Sequence, residues 1–352
     1  MNHPVYAADS PVSLRVFTDD VFFKSPWRSP FSPIASDEAT VSIGIETPNP
    51  ILEVKLNEAY GERQSKVEHA GRWFSTISKR ILETSNVELV NVARKNLLLW
   101  AEKDALSSGI HVSWGSKPVD WQVMTLIGSI LTTTAVVGES FQVDERVKVG
   151  HWLNRLMWNV AQSRWAHRID NKALMRSYYV MLWGLMIGDY QAVQSSVDHF
   201  KKTIHDIRPD GSFPIDTQRS GMGLKYNADA AGFMVMMAVL AEFGTSKNLH
   251  LYSVEGRSLA TVVEFVVQSM MKPIEMNQRY AISCPSSGDR WGSVSKPSTG
   301  FIGNSAFLRA YLLLDPNNPQ AGFIKRKYRW DIVQSETFSV LSDKIFSVRE
   351  RP

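Results

Sequence analysis

Residues 172–206 read KALMRSYYVMLWGLMIGDYQAVQSSVDHFKKTIHD, and this stretch decides the fold class. Apolar residues recur three and four positions apart on both sides of the Gly188-Asp189 pair, which is the pattern of two amphipathic helices. Gly and Asp are typical of a helix end and a helix start. A break this short favours two antiparallel helices that pack side by side. The stretch therefore predicts a helical hairpin with helices over 172–187 and 190–206.

The same pattern continues in both directions along the chain. Between Asn86 and Met270 there is no Asn-Gly hairpin and no sustained alternation of apolar and polar residues. The simplest prediction is a series of helical hairpins, and therefore an all-α fold. The other predicted helices span residues 56–83, 88–107, 120–136, 143–165, 224–243, 255–270 and 300–313.

The two ends of the chain differ from its helical middle. Residues 1–50 are rich in Pro, Ser and Thr and have no helical period, which predicts an extended N-terminal arm. Residues 51–352 show no domain boundary and are predicted to form one domain. Within it, residues 331–349 have β-branched and aromatic residues at even spacings, which favours a short strand or an irregular wrap.

Composition limits the classes of partner. The 39 basic and 35 acidic residues give a formal charge of +4, which favours acidic partners, but no basic patch is dense enough to indicate nucleic acid. The single cysteine, Cys284, excludes an intramolecular disulfide and a cysteine-based zinc site. No apolar run is long enough to span a bilayer, and the richest covers only residues 233–240, so no membrane insertion is predicted.

The histidines predict neither a metal nor a cofactor. None of the eight has the spacing of a metal-binding motif, and His199 and His205 are predicted on a polar helix face. No Gly-rich phosphate loop or nucleophile elbow occurs either. The sequence does not specify an oligomeric state, and a monomer is the expectation.

Polar groups suited to catalysis are concentrated between residues 168 and 231. Residues 169–172 (Ile-Asp-Asn-Lys) open a predicted helix, and residues 211–214 (Gly-Ser-Phe-Pro) form a turn. Arg219 follows in a glycine-containing loop, and Tyr226 stands near the start of an apolar helix. Helix beginnings and long loops are where a rigid helical scaffold exposes functional side chains, so this region is the predicted site.

This region resembles the alginate lyase family, specifically the poly(mannuronate) lyases. That family has Ile-Asn-Asn-His at a helix start, a Gly-x-x-Pro turn, a loop arginine, and a tyrosine seven residues after the arginine. The weaker helical resemblance extends over residues 85–245. It implies an (α/α) toroid, or incomplete α/α barrel of helical hairpins, that cleaves a uronate-containing acidic polysaccharide by β-elimination. It also implies a periplasmic or secreted protein.

The resemblance implies a role for each matching residue. Asn171 and Arg219 would bind the substrate carboxylate, and Tyr226 would donate a proton to the leaving oxygen. Lys172 stands at the histidine position of the family, and Asp170 at an asparagine position. Uronate chemistry suits these residues, because removing the C5 proton creates a dianion that fixed donors must stabilise.

Lys172 has two possible roles. It is a base only when neutral, and nearby guanidinium groups with partial burial would lower its pKa toward that state. When charged, it is a second carboxylate clamp, and Tyr226 would then act as both base and acid. Separately, Asp170 is predicted to cap the helix.

Further substrate contacts are predicted at Arg168, Asn227, Arg290 and Trp291. Arg290 and Trp291 lie in a polar loop, where a flat aromatic face suits a sugar ring. Four other tryptophans fall in apolar helical periods and are predicted in the core: Trp100, Trp152, Trp158 and Trp183.

Two other functions remain open. A glycoside hydrolase on the same toroid would need two opposed carboxylic acids, for which Asp210, Asp216 and Asp229 are the nearby candidates. A non-catalytic polyuronate-binding protein of an exopolysaccharide export system would bind the glycan without creating a double bond in it.

Overall fold

The computed structural model describes residues 43–52, 60–107, 119–163, 168–245, 247–283, 293–298, 305 and 307–327. Contacts divide the chain into two compact units. The first contains Met1–His167 and Tyr179–Gln194, and the second contains Arg168–Tyr178 and Ser195–Pro352. The chain therefore passes between the units within two helices, near residue 178 and near residue 194.

The first unit is built from packed α-helices. Its helices are α1 (Tyr60–Thr84), α2 (Val87–Glu102), α3 (Val119–Val137), α4 (Val143–Ala161), the later part of α5 (Asn171–Ile187) and the start of α6 (Tyr190–Asp206). Helix α1 packs along α3, and α2 packs against α4. Asn86 begins α2 by accepting hydrogen bonds from the backbone N–H groups of Glu88 and Leu89 at 2.8 and 3.1 Å.

A line of hydroxyl groups joins α1 to α3. Ser75 Oγ donates to Ser129 Oγ at 3.1 Å, and the hydroxyls of Ser78 and Thr133 lie 2.8 Å apart. The cross-helix pairs Ser75–Ser129 and Ser78–Thr133 show that α1 and α3 run parallel. Thr133 also donates to the backbone carbonyl of Phe74 at 3.0 Å. These pairs satisfy polar groups that would otherwise be costly inside the unit.

Helix α3 with the turn after it, Trp121–Ser140, is long and apolar enough to cross a membrane by length and composition. The expectation that no apolar run is long enough to span a bilayer was therefore wrong for this stretch, whose apolar runs are interrupted by the serines and threonines of α3. Here 83% of the apolar window is buried inside the protein. Burial against α1 is the arrangement of a core helix, and the absence of membrane insertion stays a prediction.

The break between α5 and α6 has the chemistry expected from the sequence. Gly188 has φ +70°, a conformation that a helix end commonly requires of glycine. The backbone N–H of Asp189 donates to the carbonyl of Gly184 at 2.8 Å. The Asp189 carboxylate then accepts from the N–H groups of Gln191 and Ala192, both at 3.1 Å, and so caps α6.

The second unit surrounds one apolar helix. It contains the start of α5, the rest of α6, and then α7 (Gly223–Thr245), β1 (Ser253–Val254), β2 (Arg257–Ser258), α8 (Leu259–Met271), α9 (Pro273–Gln278), α10 (Phe307–Leu314) and α11 (Ala321–Lys327). Helix α7 packs against α8 and α10. A Cβ at Gly232 would lie 3.1 Å from the ring of Phe307, so glycine permits this close approach of α7 and α10.

The prediction of an all-α fold is confirmed, with most helices within a few residues of their expected bounds. One difference is a hairpin of two two-residue antiparallel strands at residues 253–258, where a helix was expected from residue 255. Glu255 and Gly256 have φ +49° and +75°, the left-handed pair that a two-residue hairpin turn needs. Helix α8 therefore begins later, with Ser258 as its cap.

Other sequence predictions have mixed outcomes. Trp158 is 44% exposed, so its placement in the core was wrong, whereas Trp100, Trp152 and Trp183 are fully buried. Trp158 follows the helical spacing of the apolar residues in α4, but it lies outside the face of α4 that is buried. Residues 43–50 contain no helix or strand, but residues 1–42 and 331–349 lie outside the described residues. The single domain from residue 51 stays a prediction.

Gly188→Ala should destabilise the protein by about 1 kcal/mol, because alanine pays a conformational cost at positive φ even though the added Cβ meets nothing within 4 Å. Gly71→Ala in α1 is the matched control. Its Cβ would make only contacts of 4.0 Å, and alanine is the better helix former, so it should be neutral or stabilising. Denaturant unfolding measures both, and equal effects would contradict the assignment of Gly188.

Candidate active site

Two buried carboxyl groups lie at the start of α5. Asp170 Oδ1 accepts from the backbone N–H of Ala173 at 3.1 Å, which is the predicted capping contact. Asp216 Oδ2 accepts from the backbone N–H of Asn171 at 2.9 Å. Both acidic residues are fully buried. The loop that contains Asp216 is thereby attached to the first turn of the helix that carries Asn171 and Lys172.

Two arginines share the second oxygen of Asp170. Arg168 Nη2 lies 2.7 Å and Arg219 Nη2 lies 3.7 Å from Asp170 Oδ2. The side chain of Arg168 is 40% exposed and that of Arg219 is 18% exposed, whereas the carboxylate between them is inaccessible. The carboxylate therefore forms ion pairs with both cations, the one with Arg219 at the longer distance, while their guanidinium groups keep some access to solvent.

Asp216 lies in a different electrostatic environment from an ordinary surface acid. Burial raises the pKa of Asp216 well above its usual value, and the charge of Asp170 raises it further. Arg219 and the amide of Asn171 act in the opposite direction. The direction of the shift favours a neutral carboxylic acid at Asp216.

Tyr226 lies beside two cationic side chains. The guanidinium carbon of Arg219 is 5.1 Å and Lys225 Nζ is 5.3 Å from the centre of its ring. Lys225 also forms an ion pair with Asp229 at 2.9 Å. Burial raises the pKa of Tyr226, and the two cations counteract this rise. The phenol is therefore protonated at neutral pH and can act as a proton donor.

Asn171 is the first residue of α5 and is fully buried. Among the described residues, neither Oδ1 nor Nδ2 of its side chain has a hydrogen-bond partner. Buried amides in native proteins nearly always have partners, so these two atoms are candidates for binding a ligand. Lys172, the next residue, is partly buried.

Asn227, which was predicted to contact substrate, makes two hydrogen bonds inside the protein. Its Oδ1 accepts from the backbone N–H of Phe213 at 2.9 Å, and its Nδ2 donates to the carbonyl of Gly223 at 2.9 Å. The residue is only 1% exposed. Because both ends of the amide are occupied, we assign Asn227 to holding the 211–214 turn against α7 instead of to substrate contact.

Arg208 and Tyr280 were missed by the sequence analysis. Arg208 donates to Ser212 Oγ at 3.2 Å and to Thr217 Oγ1 at 2.6 Å, so it supports the loop before Arg219. Its guanidinium carbon lies 4.0 Å from the ring centre of Tyr280. The only sequence signal was the Arg-Pro-Asp-Gly turn at residues 208–211, which does not reveal a contact with Tyr280, 72 residues away.

A later segment of the chain also contacts this loop. Arg219 and Ile282 form an isolated parallel bridge, and the N–H of Ser298 donates to the carbonyl of Gly221 at 2.8 Å. Arg290 and Trp291, which were predicted to contact substrate, lie outside the described residues. Within the described part of the chain, no group of three or more His, Cys, Asp or Glu residues could hold a metal ion.

His199 lies behind the start of α5, partly buried, and not on an open polar face as predicted. Its Nε2 is 2.9 Å from the carbonyl oxygen of Arg168, and its Nδ1 is 2.6 Å from Ser177 Oγ. A carbonyl can only accept, so Nε2 carries a proton, and in the neutral ring Nδ1 then accepts from the serine hydroxyl. The pKa of His199 is lowered to about 4, chiefly by burial.

The described residues define a helical fold with a cluster of cationic and buried acidic side chains at the start of α5, and comparisons with known proteins show what the chain resembles. Residues 126–276 match the protein family described as alginate lyase. A protein of Stenotrophomonas maltophilia (strain K279a) named polysaccharide lyase is 26% identical over 140 residues. The aligned stretch covers 38% of this chain and only 40% of that relative. The resemblance to the alginate lyase family is therefore confirmed.

Solved structures show the same fold. A tyrosine-to-phenylalanine variant of alginate lyase A1-III complexed with a tetrasaccharide has a TM-score of 0.67 and 17% identity, over 81% of this chain and 82% of that one. Alginate lyase A1-III from Sphingomonas species A1 gives 0.64 and 17%, over 80% and 81%. An alginate lyase from Bacteroides ovatus gives 0.56 and 13%, over 79% and 74%. These similarities confirm the predicted α/α toroid class.

His199 should make stability depend on pH. Its folded pKa of about 4 lies below the ordinary 6.5, so the unfolded chain binds the proton first as pH falls. The stabilisation is complete above pH 6.5 and is lost between pH 6.5 and 4, by at most about 3 kcal/mol because the side chain retains some exposure.

Denaturant unfolding at several pH values tests this expectation. His199→Gln should remove the corresponding part of the pH dependence. The matched control is His205→Gln on the same helix, whose side chain is 64% exposed and which should keep the wild-type pH profile. Parallel pH profiles for wild type and His199→Gln would contradict the assignment.

Proposed function

We propose that this protein is a polysaccharide lyase that cleaves a uronate-containing acidic polysaccharide by β-elimination. The observation that carries the proposal is the position of Arg219, which is held by the buried carboxylate of Asp170 and lies 5.1 Å from the ring of Tyr226. A carboxylate-binding cation and a proton donor are thus adjacent. The names of the similar proteins, polysaccharide lyase and alginate lyase, support the same reaction class.

The reaction needs three functions, and the cluster offers a group for each. A base removes the C5 proton, a double bond forms between C4 and C5, and the bond from C4 to the glycosidic oxygen breaks. Arg219 and the unpartnered amide of Asn171 would stabilise the negative charge that develops on the substrate carboxylate. Tyr226 would protonate the departing oxygen.

The identity of the base distinguishes two versions of this mechanism. In one, neutral Lys172 accepts the C5 proton. In the other, charged Lys172 binds the carboxylate together with Arg219 and Arg168, and Tyr226 accepts the proton and later returns it. Lys172 is partly buried at the first turn of α5, next to Asn171, and this position is compatible with both versions.

The nearby acids are occupied, which disfavours the hydrolase alternative. Asp216 is fully buried, Asp229 is paired with Lys225, and Asp210 accepts from the N–H of Ser212 and lies 3.4 Å from Arg279. An inverting or retaining hydrolase needs two opposed carboxyl groups that reach the substrate. A lyase therefore fits these residues better, and we further propose a periplasmic or secreted location.

Purified protein incubated with mannuronate, guluronate and glucuronate polymers should produce the ultraviolet absorbance of the conjugated double bond. Tyr226→Phe and Arg219→Ala should each lower turnover by at least about 100-fold, as expected for a single acid-base or charge-stabilising group. Tyr190→Phe and Arg155→Ala, at exposed positions of α6 and α4, are matched controls that should retain full activity.

Two other outcomes would identify the alternatives. Depolymerisation without absorbance, lost in an Asp210→Asn or Asp229→Asn variant but kept in Tyr226→Phe, indicates a hydrolase. Retention of the polymer with neither cleavage nor absorbance indicates a binding protein. Near-normal elimination by both Tyr226→Phe and Arg219→Ala would remove the proposed site.

Two substitutions of Lys172 should separate its possible roles. Arginine keeps the positive charge but cannot act as a base at neutral pH, and glutamine removes the charge. If Lys172 is the base, both variants should lose at least about 100-fold in kcat. If it is a clamp, Lys172→Arg should retain kcat within about 10-fold while Lys172→Gln chiefly raises KM. Steady-state kinetics on the preferred polymer measures the difference.

A further inference from the structure

His199 connects helix α6 to the backbone just before the candidate site. Its Nε2–H donates to the carbonyl of Arg168 at 2.9 Å, two residues before Asp170. Its Nδ1 accepts from Ser177 Oγ at 2.6 Å, in the second turn of α5. The imidazole therefore bridges the segment that enters α5 and the body of the same helix.

We propose that His199, oriented by Ser177, is a positioning residue that fixes the Arg168–Asp170 segment and, through it, the guanidinium group of Arg219. This inference rests on the proposed lyase function. The route is physical: His199 holds the carbonyl of Arg168, the following residues place the Asp170 carboxylate, and that carboxylate holds Arg219. Fixing a charge-stabilising group matters because small displacements of such groups lower turnover strongly.

The neutral imidazole with its proton on Nε2 satisfies both contacts. The carbonyl requires a donor at Nε2, and the serine hydroxyl at Nδ1 can donate only to an unprotonated nitrogen. The charged groups that face His199 are Arg176 and Lys202, which oppose its protonation, and Asp170, which favours it. Burial adds to the effect of the two cations, so neutral imidazole is the working form.

The test uses substitutions that separate shape from hydrogen bonding. His199→Phe keeps an aromatic ring but neither hydrogen bond, whereas His199→Gln retains a donor for the carbonyl and an acceptor for Ser177. We expect His199→Phe to lower kcat by about 10-fold with less than a 2-fold change in KM, and His199→Gln to stay within about 3-fold of wild type. His205→Gln is the control and should be unaffected.

A double substitution distinguishes positioning from general weakening of the fold. If His199 acts through Asp170, adding His199→Phe to Asp170→Asn should lower kcat by less than about 2-fold more, because the connection to Arg219 is already broken. A merely structural residue would cause the same further loss in both backgrounds. Full kcat in His199→Phe, or strictly additive losses in the double variant, would overturn the proposal.

Hydrogen exchange tests the inference separately from the proposed function. The amides of residues 170–174 should exchange at least about 5-fold faster in His199→Phe than in wild type, whereas those of α8 should not change. If the wild-type protein eliminates none of the uronate polymers, the proposed function fails, and exchange alone then decides the positioning role. Unchanged exchange at residues 170–174 would refute it.

Discussion

The candidate site depends on one buried charge, the carboxylate of Asp170. A carboxylate with no access to solvent is strongly unfavourable unless it is paired and hydrogen-bonded, and its removal from water costs several kcal/mol. Asp170 meets this requirement with the N–H of Ala173 on one oxygen and with Arg168 and Arg219 on the other. These ion pairs also fix the positions of Arg168 and Arg219, the two groups that are proposed to bind an acidic sugar.

The second buried acid completes this electrostatic arrangement. If Asp216 were ionised beside Asp170, the two carboxylates would cancel the two guanidinium charges and leave little attraction for a polyanion. Burial and the charge of Asp170 instead raise the pKa of Asp216 and favour its neutral form. The neutral acid can still accept the N–H of Asn171 through Oδ2. The site thus retains positive charge while the loop of Asp216 remains attached to α5.

Local chemistry explains which features the sequence predicted. The break between α5 and α6 could be predicted because it depends on local hydrogen bonds: α5 ends just before Gly188, and Asp189 caps the start of α6. Asp170 was recognised as a cap for the same reason. The hairpin at residues 253–258 was missed because Glu255, a non-glycine residue, adopts positive φ there. The hydrogen bonds of Asn227 and His199 were not predicted because their partners lie 14 and 31 residues away, beyond the range of any periodic pattern.

The two departures from the family motif at the start of α5 offset each other in charge. Aspartate at position 170 adds one negative charge relative to the asparagine of the motif, and lysine at position 172 adds one positive charge relative to a neutral histidine. In the structure Asp170 is buried and forms ion pairs with two arginines. Lys172, two residues later in the first turn of α5, is only partly buried. The field that attracts a uronate can therefore persist while the candidate base changes. The proposed reaction class and the proposed carboxylate-binding groups thus rest on the residues that match the motif, and the choice between a lysine base and a tyrosine base rests on those that do not.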